Sequence, residues 1–440
     1  MTIRVPNPIL LLLGCVAVAA ALTWVVPAGE FDRREDETTG RTVVVAGTYH
    51  RVLPAPVSPF AAVVAVPRGF VEAAEVVAVV FFVGGAWVVL DVLGILGRLV
   101  NAFVGRLRRR GYLAIPVVSV FFASMGALEN MQEEIIPLVP VLLLLGRRLG
   151  VDAVTVVAMS AGAAMVGRAF GPTNPFQAGI AMKMAELPLM SAAGLRFGIW
   201  AAAVVVWLGW TMWHAAATKE KVQEDTSRTE PISGRDLAAL ACLVLPMAAY
   251  IYGALAWEWG FNELSAGFLL GGVAAGVVGG LSVSRTIDVY LDGMKGMLAA
   301  AIMVGVARSI SLVLADGLVV DTLLAGLAAP LAAATPTAAA LMMVPFHVLV
   351  HIPVSSVSGH AVLTMPLLVP LSDLLGVSRL VTVLAYQTGA GLTELVTPTN
   401  GALMAILFAA GVPYHRWIRF AAPGVLLAAL IGIAGMIALG

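Results

Sequence analysis

Gly171-Pro172-Thr173-Asn174-Pro175 and Thr397-Pro398-Thr399-Asn400-Gly401 each interrupt an otherwise apolar stretch, and Asn400 follows Asn174 by 226 positions. Proline removes a backbone donor and opens the helical ladder, so each break frees carbonyls and amides that a helix would consume. Threonine and asparagine add neutral donors and acceptors beside them. A proline kink without a ligand explains one such break; two at matched positions argue for a shared site. The 226-residue offset also pairs Thr173 with Thr399, Pro172 with Pro398, Pro140 with Pro366, and Gly150-Val151 with Gly376-Val377. It lays Glu129 to Glu134 over Ser355 to His360, and Arg168 over Glu394.

The surroundings of these breaks define the solvent. Of 440 residues, 60% are hydrophobic and 12% charged, whereas a soluble domain carries roughly 25% charged residues. Runs long enough to cross a hydrocarbon core of about 30 Å recur along the chain. One polytopic, all-α membrane protein is expected. With 26 basic and 26 acidic residues there is no net charge to attract nucleic acid. Cys15 and Cys242 lie in separate apolar runs, which excludes a disulfide framework and a paired-cysteine metal site. Arg4 and the run Ile9 to Val26 read as a retained first span rather than a cleaved signal peptide.

Lysine and arginine mark the cytoplasmic side of short loops. After the first span, Glu30 to Arg51 reads as an external loop with a hairpin around Thr42 to Val45 and a turn at Gly47, and one segment, Phe70 to Leu96, returns. Arg98, Arg106, Arg108, Arg109 and Arg110, then Arg147 and Arg148, mark the inside on both flanks of Leu113 to Leu128 and Ile135 to Leu145. Two limbs this short with both outer ends inside predict a re-entrant hairpin, tolerated only where protein or water surrounds its tip. The second apolar pair, Ala338 to Val350 and Ala361 to Leu371, follows a region without Lys or Arg and is expected to enter from outside. Inverted halves with hairpins and broken helices point to a midplane binding site of the kind secondary transporters use. The expected divisions are an N-terminal span and loop over 1–57, a first repeat over 58–216 with hairpin 111–148, a cytoplasmic linker over 217–236, and a second repeat over 237–440 with hairpin 336–375.

Val25-Val26-Pro27-Ala28-Gly29-Glu30-Phe31 with Arg33, Gly305-Val306-Ala307-Arg308, Thr173-Asn174-Pro175-Phe176, Ser358-Gly359 before Leu363-Thr364-Met365-Pro366, and Thr397-Pro398-Thr399 together form a pattern over nearly the whole chain. At these residues the chain resembles the YfcC-like branch of the four-carbon dicarboxylate anaerobic carrier family, within the ion transporter superfamily. The resemblance implies a homodimer, a scaffold, a mobile transport region moving like an elevator, and coupling to Na⁺ or H⁺, with no resident cofactor. The expected location is multi-pass in the cytoplasmic (inner) membrane of a prokaryote. Ala390 and Glu394 depart from the acidic residue and asparagine expected before the second break.

The expected solute site combines Glu129, Asn130, Glu133, Thr173, Asn174, Ser355, Ser356, Ser358, Thr399 and Asn400. Asn130, Gly171, Asn174, Ser356, Thr397 and Asn400 are the expected coupling-ion ligands, with Arg168 and Glu394 as a charged pair. Charges at membrane depth are expensive and read as functional; Glu134 and Arg308 share that property. Glu72, Glu75, Asp91 and Asp316 are placed near interfaces or in helix contacts, outside the site, leaving Arg168 as the one arginine near it. The expected activity is secondary transport of a small carboxylate-bearing solute, such as a dicarboxylate, with coupled cations. A transporter or antiporter of basic amino acids or peptides is the alternative. His347, His351 and His360 raise an intramembrane zinc enzyme, but no His-Glu-x-x-His motif accompanies them, and no Gly-x-Ser-x-Gly elbow or Walker loop occurs. A channel, which needs continuous polar rings, is the remaining class.

Overall fold

A computed structural model describes residues 8–36, 41–106, 113–219, 231–257 and 259–439. Arg4, Arg108, Arg109 and Arg110, Lys221, Arg228 and the start of the first hairpin at 111 lie outside the described residues. The chain is a helical membrane protein: among the described residues, nine helices are long and apolar enough to cross a bilayer. The first is Pro8–Val25.

The external loop holds two short antiparallel pairs, Arg33–Asp36 with Arg41–Val44 and Gly29–Glu30 with His50–Arg51. Gly47, at φ 82°, is not the turn of the expected hairpin; it redirects the chain from the first pair into the second. The loop is anchored on helix Val320–Ala332. There Asp321 accepts from the Phe31 amide and pairs with Arg33 at 2.9 Å.

Hydropathy predicts one return segment over Phe70 to Leu96, and the structure divides it. Ser58 caps a helix that starts at Pro59 and stops at Glu72; after Ala73 a new helix runs Ala74–Val92, and a third, Ile95–Arg106, follows a left-handed Gly94. Arg285 and Lys295 lie on helix Val283–Gly296, whose apolar residues Val289 and Tyr290 are buried. That helix shares one core with Ala74–Val92, Gly234–Ala256 and Phe261–Gly279, built on Val79, Val83, Leu90, Leu243 and Phe268. A second, larger core joins most of the remaining helices, and a third, small one holds Ala181, Met182, Met365 and Tyr386.

Each hairpin is two helices around a short non-helical tip. The first runs Ala114–Glu129 and Val139–Leu149, with a 3-10 turn Glu133–Leu138 leading into the second limb. Its tip is Asn130 to Gln132, narrower than the expected Glu129 to Glu134, because Asn130 adopts a left-handed conformation (φ 66°) that ends the helix. The second runs Pro336–His351 and Val357–Leu375, so His360 belongs to a helix rather than to the tip. The segment containing the first break, Ala153–Met184, is the most enclosed: 94% of its most apolar window is buried, against 22% for Pro8–Val25.

Backbone conformation recurs at the 226-residue offset. Gly150 (φ 68°) and Gly376 (φ 72°) both end a hairpin in the left-handed region. Asn174 and Asn400 are both helix N-caps. Each broken helix also carries a π-helical turn before its break, Ala158–Gly162 in one and Gln387–Gly391 in the other, though not at the 226-residue register. A π turn leaves local hydrogen bonding irregular and is frequent at functional sites.

Candidate functional site

The first break is fastened to the end of the first hairpin limb. The Asn174 side chain accepts from the amides of Phe176 and Gln177 at 2.9 and 2.7 Å, supplying the cap that starts the next helix. Its amide nitrogen donates to Gly126 O at 2.9 Å and Asn130 Oδ1 at 3.2 Å. Thr173 donates to Ala127 O at 3.0 Å. The second break repeats one of these contacts, since Thr399 donates to Ile352 O, in the second hairpin, at 2.8 Å. Thr397 and Thr399 share a hydroxyl hydrogen bond of 2.7 Å.

Asn400 departs from that parallel. Its Oδ1 accepts from the Leu403 amide at 3.2 Å and from Gln132 Nε2 at 2.7 Å, while its Nδ2 donates to the Glu394 carbonyl at 3.1 Å and to the Glu394 carboxylate. Gln132, absent from the expected site, also accepts from Arg168 Nη1, and Arg168 Nη2 lies 3.2 Å from Glu394 Oε2. The tip of the first hairpin is thereby tied to both broken helices. Arg168 and Glu394 are almost fully buried, so each charge is tolerable only beside the other.

These groups border a cavity of about 330 Å³. The first tip contributes Asn130, Gln132 and Glu133; the second contributes Ser355, Ser356 and Ser358; the broken helices contribute Arg168, Phe176, Glu394, Thr399 and Asn400. Glu129, Thr173, Gly171, Asn174 and Thr397 do not line it. Glu129 is buried elsewhere, with Oε1 lacking a hydrogen-bond partner among the described residues. Thr173 and Asn174 spend their polar groups holding the first hairpin. Glu72 and Arg308 stand on the cavity wall and pair with each other at 3.2 Å, which corrects two expectations: Glu72 belongs to the site, and Arg168 is not its one arginine. A wider cleft of about 800 Å³ beside Pro8–Val25 is lined almost entirely by apolar side chains and offers no charged group.

The histidines form a line behind the cavity. His351 Nε2 is 2.6 Å from Glu394 Oε1, His351 Nδ1 is 3.3 Å from His360 Nδ1, and His360 Nε2 is 2.8 Å from His347 Nδ1. All three rings are fully buried. They run end to end instead of converging, and among the described residues no group of three His, Cys, Asp or Glu is arranged to hold a metal. Their i,i+4 spacing was the legible signal; Glu394 as their neighbour was not.

Because Asn174 and Asn400 differ in partners, their substitutions should differ in kind. Asn174→Ala removes the side-chain acceptor of two helix-start amides and one of the donors to Gly126 O, and should lower unfolding free energy by about 2 kcal/mol. Asn400→Ala, at the cavity, should reduce transport more than stability. Thermal unfolding and uptake on both variants separate the two; equal losses in both assays would restore the equivalence read from the repeat.

The family model of the C4-dicarboxylate anaerobic carrier, DcuC, matches residues 5–440. The chain is similar to YfcC of Escherichia coli K12, provisionally named a basic amino acid antiporter, with 29% identity over 99% of this chain and 96% of that protein. It is 24% identical to an uncharacterized protein of Haemophilus influenzae, over 98% of this chain and 96% of that one. Among solved structures, the YdaH transporter of Alcanivorax borkumensis aligns over 98% of both chains with 17% identity and a TM-score of 0.46. MtrF of Neisseria gonorrhoeae, described among antimetabolite efflux pumps, aligns over 99% of this chain and 95% of its own with 13% identity and a TM-score of 0.47.

Proposed function

The chain belongs to the C4-dicarboxylate anaerobic carrier family, and we propose that this membrane transporter carries a small carboxylate-bearing solute that also bears an amino cation, in the manner of a basic amino acid. The observation that carries the reading is the charge balance of the cavity. Three carboxylates, Glu72, Glu133 and Glu394, face two guanidiniums, Arg168 and Arg308. Each guanidinium already pairs with a glutamate, Arg168 with Glu394 and Arg308 with Glu72. Glu133 has no ion pair among the described residues, and Arg168 acts on it only from a distance. A dianion meets an excess negative field there, whereas an amino group supplies the missing cation. The serines of the second tip and the two arginines supply donors for the carboxylate end.

This reading promotes the amino-bearing solute over the dicarboxylate of the family's description. The E. coli relative's name as a basic amino acid antiporter supports it. A dicarboxylate remains compatible only with cations that neutralise the glutamates. Elevator-like movement of a transport region that carries the hairpins and broken helices against a scaffold, with Na⁺ or H⁺ coupling, homodimer formation and residence in a prokaryotic inner membrane, completes the proposal. The separate core of Ala74–Val92 and its neighbours supports a scaffold.

Proteoliposomes preloaded with ornithine test the solute class. Labelled arginine should exchange in and labelled succinate should not, and succinate exchange without arginine exchange reverses the assignment. Glu133→Gln, which keeps shape and removes the charge, should lower arginine exchange at least about tenfold, since losing one charge-assisted contact is worth roughly 1.5–3 kcal/mol. Arginine exchange at the wild-type rate would remove Glu133 from the site.

A further inference from the structure

The solute cavity makes no use of the histidine line, and the line has a definite proton count. His347 and His351 share a face of helix Pro336–His351, and His360 meets both from helix Val357–Leu375. A contact between two imidazole nitrogens holds one proton, because one nitrogen must donate and the other accept. The sequence Glu394, His351, His360, His347 therefore has three gaps to fill, and three neutral imidazoles bring three N–H protons. With Glu394 ionised beside Arg168, His351 donates from Nε2 to Glu394, His360 donates from Nδ1 to His351 Nδ1, and His347 donates from Nδ1 to His360 Nε2. His347 Nε2 is left as a bare acceptor. It is the ring nitrogen that, though buried, has no hydrogen-bond partner among the described residues. Geometry and proton count thus leave the same vacancy.

We propose that His347, His360 and His351 are a proton relay that loads and unloads Glu394, making H⁺ the coupled ion. The inference rests on the transport reading above and adds to it the ion and its path. A proton bound at His347 Nε2 lets Nδ1–H pass to His360 Nε2, His360 Nδ1–H pass to His351 Nδ1, and His351 Nε2–H pass to Glu394 Oε1. Three neutral rings remain in the opposite tautomers, and the one added charge has been taken up by the carboxylate. The reverse shift releases it. The other charged or titratable groups facing this chain are Arg168, which pairs with Glu394, Glu133 across the cavity wall, and Tyr386. The Tyr386 hydroxyl donates to Val357 O, so it is not a link in the line. Once Glu394 is neutral, Arg168 loses its carboxylate partner and presents its charge to the cavity, where the carboxylate of the solute replaces it. Proton loading and solute binding are coupled through that exchange of partners.

The test uses the full chain in proteoliposomes with a trapped pH indicator. Wild type should exchange arginine by counterflow without any gradient, and its net arginine uptake should respond to an imposed pH gradient and move protons. His360→Gln keeps a polar side chain but cannot pass a proton along. It should retain wild-type counterflow while its response to the pH gradient falls at least about tenfold. His347→Gln, which removes the terminal acceptor, should show the same split. Either variant responding to the gradient like wild type overturns the relay. If His360→Gln shows no counterflow, His347→Gln decides. Wild-type net uptake without proton movement overturns the relay and leaves the transport reading standing, whereas absence of arginine counterflow in wild type overturns both.

Discussion

Arg168→Gln should be the most damaging single substitution in the protein, lowering unfolding free energy by about 3–5 kcal/mol. The guanidinium is buried, 3.2 Å from the Glu394 carboxylate, and also donates to Gln132. Removing it leaves Glu394 charged in an enclosed site whose remaining donors, His351 and Asn400, carry no fixed positive charge. Glu394→Gln should be harmful for the mirror-image reason. The diagnostic variant is the double substitution: with both charges gone, the uncompensated-charge penalty goes too, and stability should recover most of the loss although transport does not. Thermal unfolding of the four proteins in one lipid preparation gives the cycle. Losses that merely add would show that the two groups do not act as a pair, and would weaken the account of the cavity built on it.

Outside the charged pair, Gly167→Ala should have the largest effect, about 2–3 kcal/mol of destabilisation. A Cβ at Gly167 would lie 2.0 Å from Ala123 O, and one at Gly126 would lie 2.1 Å from Ala164 O. The first hairpin limb and the first broken helix therefore touch backbone to backbone at two reciprocal points, as membrane helices do when small residues face each other. Neither carbonyl can rotate aside like a side chain, so the helices must separate, and the bonds from Thr173 and Asn174 to that limb lengthen with them. Alanine's better helix propensity, worth about 1 kcal/mol, offsets only part of this. Gly198→Ala is the control: nothing lies within 4 Å of its Cβ position, so it should be neutral or slightly stabilising. Thermal unfolding of Gly167→Ala equal to that of Gly198→Ala would mean the two helices are not in this close contact.

Much of what matters was legible in the chain because it is local. Proline beside Thr and Asn in an apolar run breaks a helix wherever the run sits, so both breaks and the hairpin limbs appear at or near the expected positions, whereas the capping role of the two asparagines is seen only in the structure. The apolar composition required a membrane as solvent for the same reason. Errors arose where hydropathy is blind. Phe70 to Leu96 is apolar apart from Glu72, Glu75 and Asp91, and hydropathy averaged along that run does not separate one helix from two meeting at Ala73.

What tertiary structure alone decided is which partner each polar group meets. Asn174 and Asn400 are equivalent in sequence, yet one closes on Gly126 and Asn130 and the other on Gln132 and Glu394, because the first tip leans toward the second break. Glu72 and Arg308 are 236 residues apart and meet on one wall. The i,i+4 spacing of His347 and His351 set their common face, but only folding placed His360 between them and Glu394 at the end of the line. Periodicity and hydropathy are properties of neighbours along a chain, and lipid and protein interior look alike to an apolar side chain. A buried charge or ring nitrogen has to find its counterpart across the fold, and that pairing is a long-range contact which spacing along the sequence does not encode.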